Sequence, residues 1–205
     1  KIFGDETLCL AGQSHLEELF LGLRLRIQPT TFFQVNTAQA EALIRIVLDQ
    51  LNLQGNETVI DAYCGIGTLS LPMAQQAARC IGIESQAESV AQAKQNAALN
   101  GLQNTDFLVG TVETLLPDVN DQYSNPVDIV VLDPPRKGCD RTGLDTLTEV
   151  KPKRIVYMSC NPATLARDLK ILCSSGYTLT MVQPADFFPQ TAHVECGAFL
   201  EQTIF

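Results

Sequence analysis

From Thr58 onward the chain repeats one unit: a short, β-branched, mostly apolar run, then a stretch with helical spacing. Thr58-Val59-Ile60-Asp61-Ala62, Cys80-Ile81-Gly82-Ile83-Glu84 and Asp106-Phe107-Leu108-Val109 read as strands, as do the runs from Asp128 to Asp133 and from Arg154 to Ser159. A turn at Gly65 opens a helix running to Gln76. Gln86 to Leu99 and Pro162 to Cys173 are helical too. Strands that are apolar on both faces suit a parallel sheet, because crossover helices cover both of its sides. Asn100-Gly101 ends one helix as a left-handed cap, and Pro162 is tolerated in the first turn of another. Tyr177 to Gln183 and Gly197 to Phe205 are the last strand candidates. The pattern predicts an α/β fold with a mainly parallel sheet.

The first 50 residues differ. Leu8-Cys9-Leu10 and Leu23-Arg24-Leu25-Arg26-Ile27 look like short strands, the second alternating with period two. Asn36 caps a helix, with Gln39 completing a capping box. Leu43, Ile46, Val47 and Leu51 lie on one face of it. Residues 1–50 are expected to form a small lead-in covering one side of the site of a main domain, residues 51–205.

At roughly 150 residues per domain, 205 residues make one domain with a small appendage. With 45% hydrophobic and 18% charged residues, the chain is too apolar to be disordered. No run approaches the ~18 consecutive apolar residues of a transmembrane helix. No basic-then-apolar N-terminal signal is visible. The chain begins at Lys1, so a processed product or a fragment is expected. Seven cysteines without any C-x-x-C pair suggest neither zinc nor an iron–sulfur ligand run, and no metal is expected. Reduced thiols in a cytoplasmic protein is the plain reading. The net charge of −9 argues against tight, non-specific phosphate binding but does not exclude nucleic acid as a substrate.

Asp61-Ala62-Tyr63-Cys64-Gly65-Ile66-Gly67-Thr68 lies between a strand and a helix. Its two glycines either shape a tight turn or let the backbone approach a ligand. Glu84 ends the next strand, where a carboxylate can accept both hydroxyls of a ribose. The third glycine of a dinucleotide fingerprint is absent; Ser70 stands there. Asp61 would oppose a pyrophosphate but suits a cationic cofactor with an amino-acid tail, such as S-adenosylmethionine.

Asp133-Pro134-Pro135-Arg136-Lys137-Gly138 closes the fourth strand, and ligands of open α/β sheets bind at such carboxyl ends. Ser159-Cys160-Asn161-Pro162 closes the fifth. Cys160 lies near helix N-terminal amides, which favour a thiolate and hence a nucleophile. Either His193 or Glu195 could act as a base. Arg136 and Lys137 are candidates for phosphate contact or a solvated turn.

These stretches resemble the S-adenosylmethionine-dependent RNA uracil-5-methyltransferases, especially the bacterial 23S ribosomal RNA members. The similarity is carried by Phe32-Phe33-Gln34-Val35-Asn36, the Asp61–Thr68 loop, the Asp133–Gly138 turn, the run Ser159 to Asp168, and Phe188 to Glu195. The resemblance implies a Rossmann-like class I methyltransferase fold with one antiparallel strand near its end. It implies that Gln34, Tyr63, Glu84 and Asp133 contact the cofactor or hold its pocket, with Gly65, Gly67 and Thr68 in the cofactor loop. Cys160 would be the nucleophile and Glu195 the base that removes the C5 proton. It further implies an RNA substrate and a separate N-terminal RNA-binding region, in many members with an iron–sulfur segment. Cys196-Gly197-Ala198-Phe199 departs from the more aliphatic run expected there. An RNA cytosine-5-methyltransferase, or a non-catalytic cofactor- and RNA-binding fragment, is the competing reading. The cytosine enzymes usually carry a second cysteine just after Asp-Pro, and Cys139 stands six residues past Asp133.

Overall fold

The computed structural model describes residues 7–122 and 127–203. Lys1, and Ile204 and Phe205 of the last strand candidate, lie outside them. The order is β1 (Leu16–Phe20), β2 (Leu23–Ile27), α1 (Thr37–Leu51), β3 (Thr58–Ala62), α2 (Ser70–Ala74), β4 (Arg79–Glu84), α3 (Ala87–Leu99) and β5 (Thr105–Val109). Then follow α4 (Val112–Gln122), β6 (Ile129–Leu132), α5 (Arg141–Val150), β7 (Arg154–Ser159), α6 (Pro162–Ser174), β8 (Tyr177–Ala185) and β9 (Glu195–Gln202).

The main sheet has the strand order β5-β4-β3-β6-β7-β9-β8. The β3, β4, β5, β6 and β7 pairings are parallel; β9 runs antiparallel between β7 and β8. After β3 the chain builds outward to β5, then returns to β3's other side with β6. That reversal opens a crevice at the carboxyl ends of β3 and β6, where open α/β sheets bind ligands.

Strand period sorts the core into two layers. Val59, Ile129, Val131, Val156 and Met158 face one side, with Leu43, Val47, Val90 and Ala93 of α1 and α3. Ile60, Val130, Leu132, Ile155 and Tyr157 face the other, with Leu116, Leu144 and Leu165 of α4, α5 and α6. Successive strand residues point to opposite faces, so a strand covered on both sides must be apolar throughout. The small residues of β9 fit this scheme: Ala198 and Leu200 join one layer, Phe199 the other.

Two expectations change. Leu8-Cys9-Leu10 is not a strand; Leu8 and Leu10 are exposed, and three residues without a partner cannot form a ladder. β2 instead pairs with Leu16–Phe20 across Leu21-Gly22, whose φ values of 50° and 79° suit a two-residue hairpin turn. The helix after the glycine loop is confined to Ser70–Ala74. Helices α4 and α5 were not anticipated; Asp140 caps the second by accepting from Gly143 N–H at 2.8 Å. In α1, Asn36 Oδ1 accepts from Gln39 N–H as expected, and the buried face is Ala40, Leu43, Ile44, Val47 and Leu51, with Ile46 at its margin. Among the described residues no helix is long and apolar enough to cross a membrane.

Candidate active site

The glycine loop leaves β3 with Tyr63 at φ 77°, a left-handed conformation that is costly for an aromatic residue. Tyr63 N–H and Cys64 N–H both donate to Ile83 O, at 2.9 and 3.0 Å, which folds the loop back over β4. Gly65 and Gly67 also have positive φ, and a Cβ on Gly67 would press within 3.2 Å of Leu71 Cγ. Glu84 ends β4 beside this turn. Its Oε2 accepts from Gly65 N–H at 3.3 Å, and its Oε1 from Gln86 N–H at 2.8 Å.

A cleft opens above the loop. Gln34, Tyr63, Gly65, Thr68 and Asp133 line it, together with the apolar side chains of Phe32, Ile44, Met158 and Phe187. Gly67 is buried within the loop, and Glu84 braces the loop from β4. The Asn36 side chain donates to Phe187 O at 3.1 Å and so ties the start of α1 to the segment before β9. Phe32 belongs to the Phe32–Asn36 stretch; Ile44, Met158 and Phe187 are lining residues that sequence reasoning missed, because they come from α1, β7 and the segment before β9 and carry no local motif.

Carboxylates gather at the carboxyl ends of three adjacent strands: Asp61 in β3, Glu84 at the end of β4 and Asp133 after β6. Asp61 is fully buried. Its Oδ2 accepts from the Ser70 hydroxyl, while Oδ1 has no partner among the described residues. Burial pushes the Asp61 carboxyl up to about 7, with the charge of Glu84 adding to it. Burial likewise raises Asp133 to about 7, helped by Asp61 and Glu195. An orphaned buried acceptor and two carboxyls held above their ordinary range fit a cationic ligand, which would stabilise their charged forms.

Beside Asp133, the sheet brings two reactive groups together. The β7–β9 ladder ends at the pair Ser159–Cys196; Cys160 follows β7 directly and Glu195 opens β9, so both stand at the same end of this strand pair. Both are partly exposed. Burial raises the Cys160 thiol, the Glu195 and Asp133 charges raise it further, and the Arg136 guanidinium opposes them. The thiolate expected from nearby helix amides is therefore not the resting form favoured here. Burial also raises Glu195, again with Arg136 opposing. Arg136 Nη2 lies 3.4 Å from His193 Nδ1, and His193 meets the Phe188 ring edge-on.

Behind this site a buried cluster locks the Asp133–Cys139 turn. Asp168 Oδ2 accepts from Tyr157 O–H at 2.6 Å and Cys139 N–H at 3.0 Å; its Oδ1 accepts from Arg167 Nε at 2.7 Å. Arg167 Nη2 donates to Lys137 O and Cys139 O at 3.0 and 3.1 Å. Gly138 has φ 76°, and a Cβ there would meet Asp168 Oδ2 at 2.5 Å. Cys139 belongs to this cluster, under Tyr63 and Tyr157, rather than to the cleft.

Strand order, glycine loop and the carboxylate ending β4 define the Rossmann-like methyltransferase fold. Residues 21–203 match the family model described as tRNA (uracil-5-)-methyltransferase, and the chain belongs to that family. It is 57% identical over 202 residues to an uncharacterised RNA methyltransferase of Gloeobacter violaceus, covering 98% of this chain and 43% of that protein. Another, of a Nostoc species, is 57% identical over 200 residues, covering 97% and 43%. Among solved structures, the Pyrococcus abyssi tRNA (uracil-54, C5)-methyltransferase in complex with S-adenosyl-L-homocysteine superposes with a TM-score of 0.80. It is 32% identical, over 93% of this chain and 45% of that one. The chain thus spans less than half the length of these relatives.

Proposed function

We propose that this chain is the catalytic part of an S-adenosylmethionine-dependent RNA uracil-5-methyltransferase, acting through a covalent adduct between Cys160 and C6 of a uridine. The observation that carries this reading is the approach of Glu195 and Asp133, whose charges act on the Cys160 thiol, to Cys160 at the end of the β7–β9 pair, with Asp133 also lining the cleft. Of the expected 1–50 lead-in, residues 1–6 lie outside the described residues, and Phe32, Gln34 and Ile44 form one wall of the cofactor site.

Bound S-adenosylmethionine supplies a methyl group on a positively charged sulfur. Gln34, Tyr63, Gly65, Gly67, Thr68, Glu84 and Asp133 hold the cofactor or shape its pocket, with the carboxylates matching its positive groups. C5 of uracil is too weak a nucleophile to accept a methyl group unaided. Cys160, once deprotonated, adds to C6 and drives the C5–C6 π electrons into an enolate, so that C5 becomes nucleophilic. C5 would then accept the methyl group that the cofactor supplies when bound. Glu195 removes the C5 proton; the C5–C6 double bond re-forms and the Cys160 thiolate leaves. The base must be presented out of its stack, as single-stranded loops allow. Arg136 and Lys137 are candidates for phosphate contact.

Within RNA we propose 23S ribosomal RNA as the target, on the motif resemblance, and the cytoplasm as the place of action. The name of the Pyrococcus abyssi relative favours transfer RNA instead. Labelled cofactor, with each RNA in turn and nucleoside analysis of the product, tests both levels. 5-Methyluridine from 23S RNA is the expected outcome; 5-methylcytidine would refute the uracil chemistry, and transfer only to tRNA would refute the target. A separate RNA-binding region supplies affinity in the longer protein; the full-length Gloeobacter relative serves as the RNA-binding control.

A further inference from the structure

Helix α3 presents two amide side chains to the backbone of β2. Asn100 accepts from Arg24 N–H at 2.9 Å and donates to Arg24 O at 2.7 Å. One turn earlier, Asn96 does the same at Arg26, at 2.8 and 3.2 Å. Asn96 then makes a contact that Asn100 lacks: its second N–H donates to Ile66 O at 3.1 Å. Its Oδ1 also accepts from Gln92 Nε2 at 3.2 Å. Asn96 is fully buried, with both donors and both acceptor positions engaged. Ile66 sits between Gly65 and Gly67, in the loop whose other side Glu84 holds. The segment leaving β2 is docked on the same helix, through Thr30 Oγ1 donating to Glu88 Oε1 at 2.5 Å. That segment carries Phe32 and Gln34 into the cleft.

We infer that Asn96 is a positioning residue coupling the docked β1–β2 hairpin to the Gly65-Ile66-Gly67 loop, so that cofactor affinity depends on a hairpin that does not line the cleft. No other residue type of this size supplies two donors and two acceptors at once. Losing it leaves Ile66 O and both Arg26 groups short of partners, and frees the loop on one side. The affinity half of the inference rests on the proposed cofactor; the structural half does not.

The test compares Asn96→Ala with Asn100→Ala in the 205-residue chain. Two quantities are read: S-adenosylhomocysteine affinity by calorimetry, and amide hydrogen exchange of residues 63–69 without ligand. For Asn96→Ala we expect binding weaker by about tenfold and loop exchange faster by a similar factor, as buried groups left unpaired imply. For Asn100→Ala, which frees the same strand but spares Ile66, both should stay unchanged within error. Parental values in Asn96→Ala, or equal losses in both variants, would overturn the inference. If Asn96→Ala does not melt cooperatively, Asn96→Ser, which keeps one donor, is read by the same criteria. Failure of the parent chain to bind S-adenosylhomocysteine would refute the proposed cofactor alone, and the exchange comparison would still decide the coupling.

Discussion

The two halves of the site are built by different devices. The proposed cofactor half lies at the carboxyl ends of the parallel strands β3, β4 and β6, where each candidate group sits in or next to a local motif. The proposed reacting half lies at the end of the antiparallel β7–β9 pair, which brings Cys160 and Glu195 to one place although 35 residues separate them. Parallel strands deliver the loops at their carboxyl ends to one edge of the sheet. An antiparallel neighbour fixes which residue stands opposite which, and a one-residue slip would turn Glu195 to the other face. Placement by loop tolerates local variation; placement by register does not.

Several substitutions sharpen that contrast. The largest effect belongs to the reacting half: Cys160→Ala should abolish methylation, and Glu195→Gln should slow it by on the order of 10²–10⁴ while adduct accumulates. Both should leave S-adenosylhomocysteine affinity near parental, as calorimetry would report; joint loss of affinity would mean the halves are not separable. Next comes the clamp that joins them. Asp168→Ala leaves the buried Tyr157 hydroxyl without its acceptor and Cys139 N–H with only the Tyr157 oxygen, and should cost about 3 kcal/mol in denaturant melts. A loss under about 0.5 kcal/mol, as at an ordinary surface site, would remove the clamp from the account.

The cofactor half should carry a pH signature. Asp61 and Asp133 rise from an ordinary 3.8 to about 7 in the folded chain. The folded state therefore keeps protons that the unfolded state releases, so ligand-free stability should fall as pH rises from about 4 to about 7, then level off. A cationic ligand prefers the charged carboxylates, so S-adenosylmethionine affinity should rise across the upper part of the same window, with a shallower slope in Asp133→Asn. Affinity that is flat between pH 5 and 8 would contradict this. The smallest effect reports the charges around Cys160. Iodoacetamide should alkylate Cys160 a few-fold faster at pH 8 in Glu195→Gln, which removes a charge that raises the thiol, and more slowly in Arg136→Ala. Identical rates would mean that neither group faces the sulfur.

The same contrast governs what the sequence discloses. The five parallel strands and the glycine loop were legible because each is signalled by residues adjacent in the chain. Glu84 was legible because one strand and one helix separate it from the loop. The joint role of Cys160 and Glu195 was legible only through the motif resemblance; no local spacing signals it, because their meeting depends on β9 inserting between β7 and β8. Asp168 gave little signal, since an aspartate beside an arginine on a helix reads as solvated surface until burial is known. Asn96 and Asn100 are four apart on one helix face, yet their partners are backbone groups of β2 that no side-chain pattern marks. Leu8-Cys9-Leu10 misled for the converse reason, because apolar content in three residues says nothing about a partner.

The most direct test of the central claim is a covalent trap. The chain is mixed with S-adenosylmethionine and a ribosomal RNA fragment carrying 5-fluorouridine, and the product is read by intact mass and peptide mapping. Fluorine at C5 cannot leave as a proton, so the account predicts a persistent methylated RNA adduct on Cys160 that is absent in Cys160→Ala. Protein that has bound both RNA and cofactor yet forms no adduct, or forms one on another residue, would contradict it.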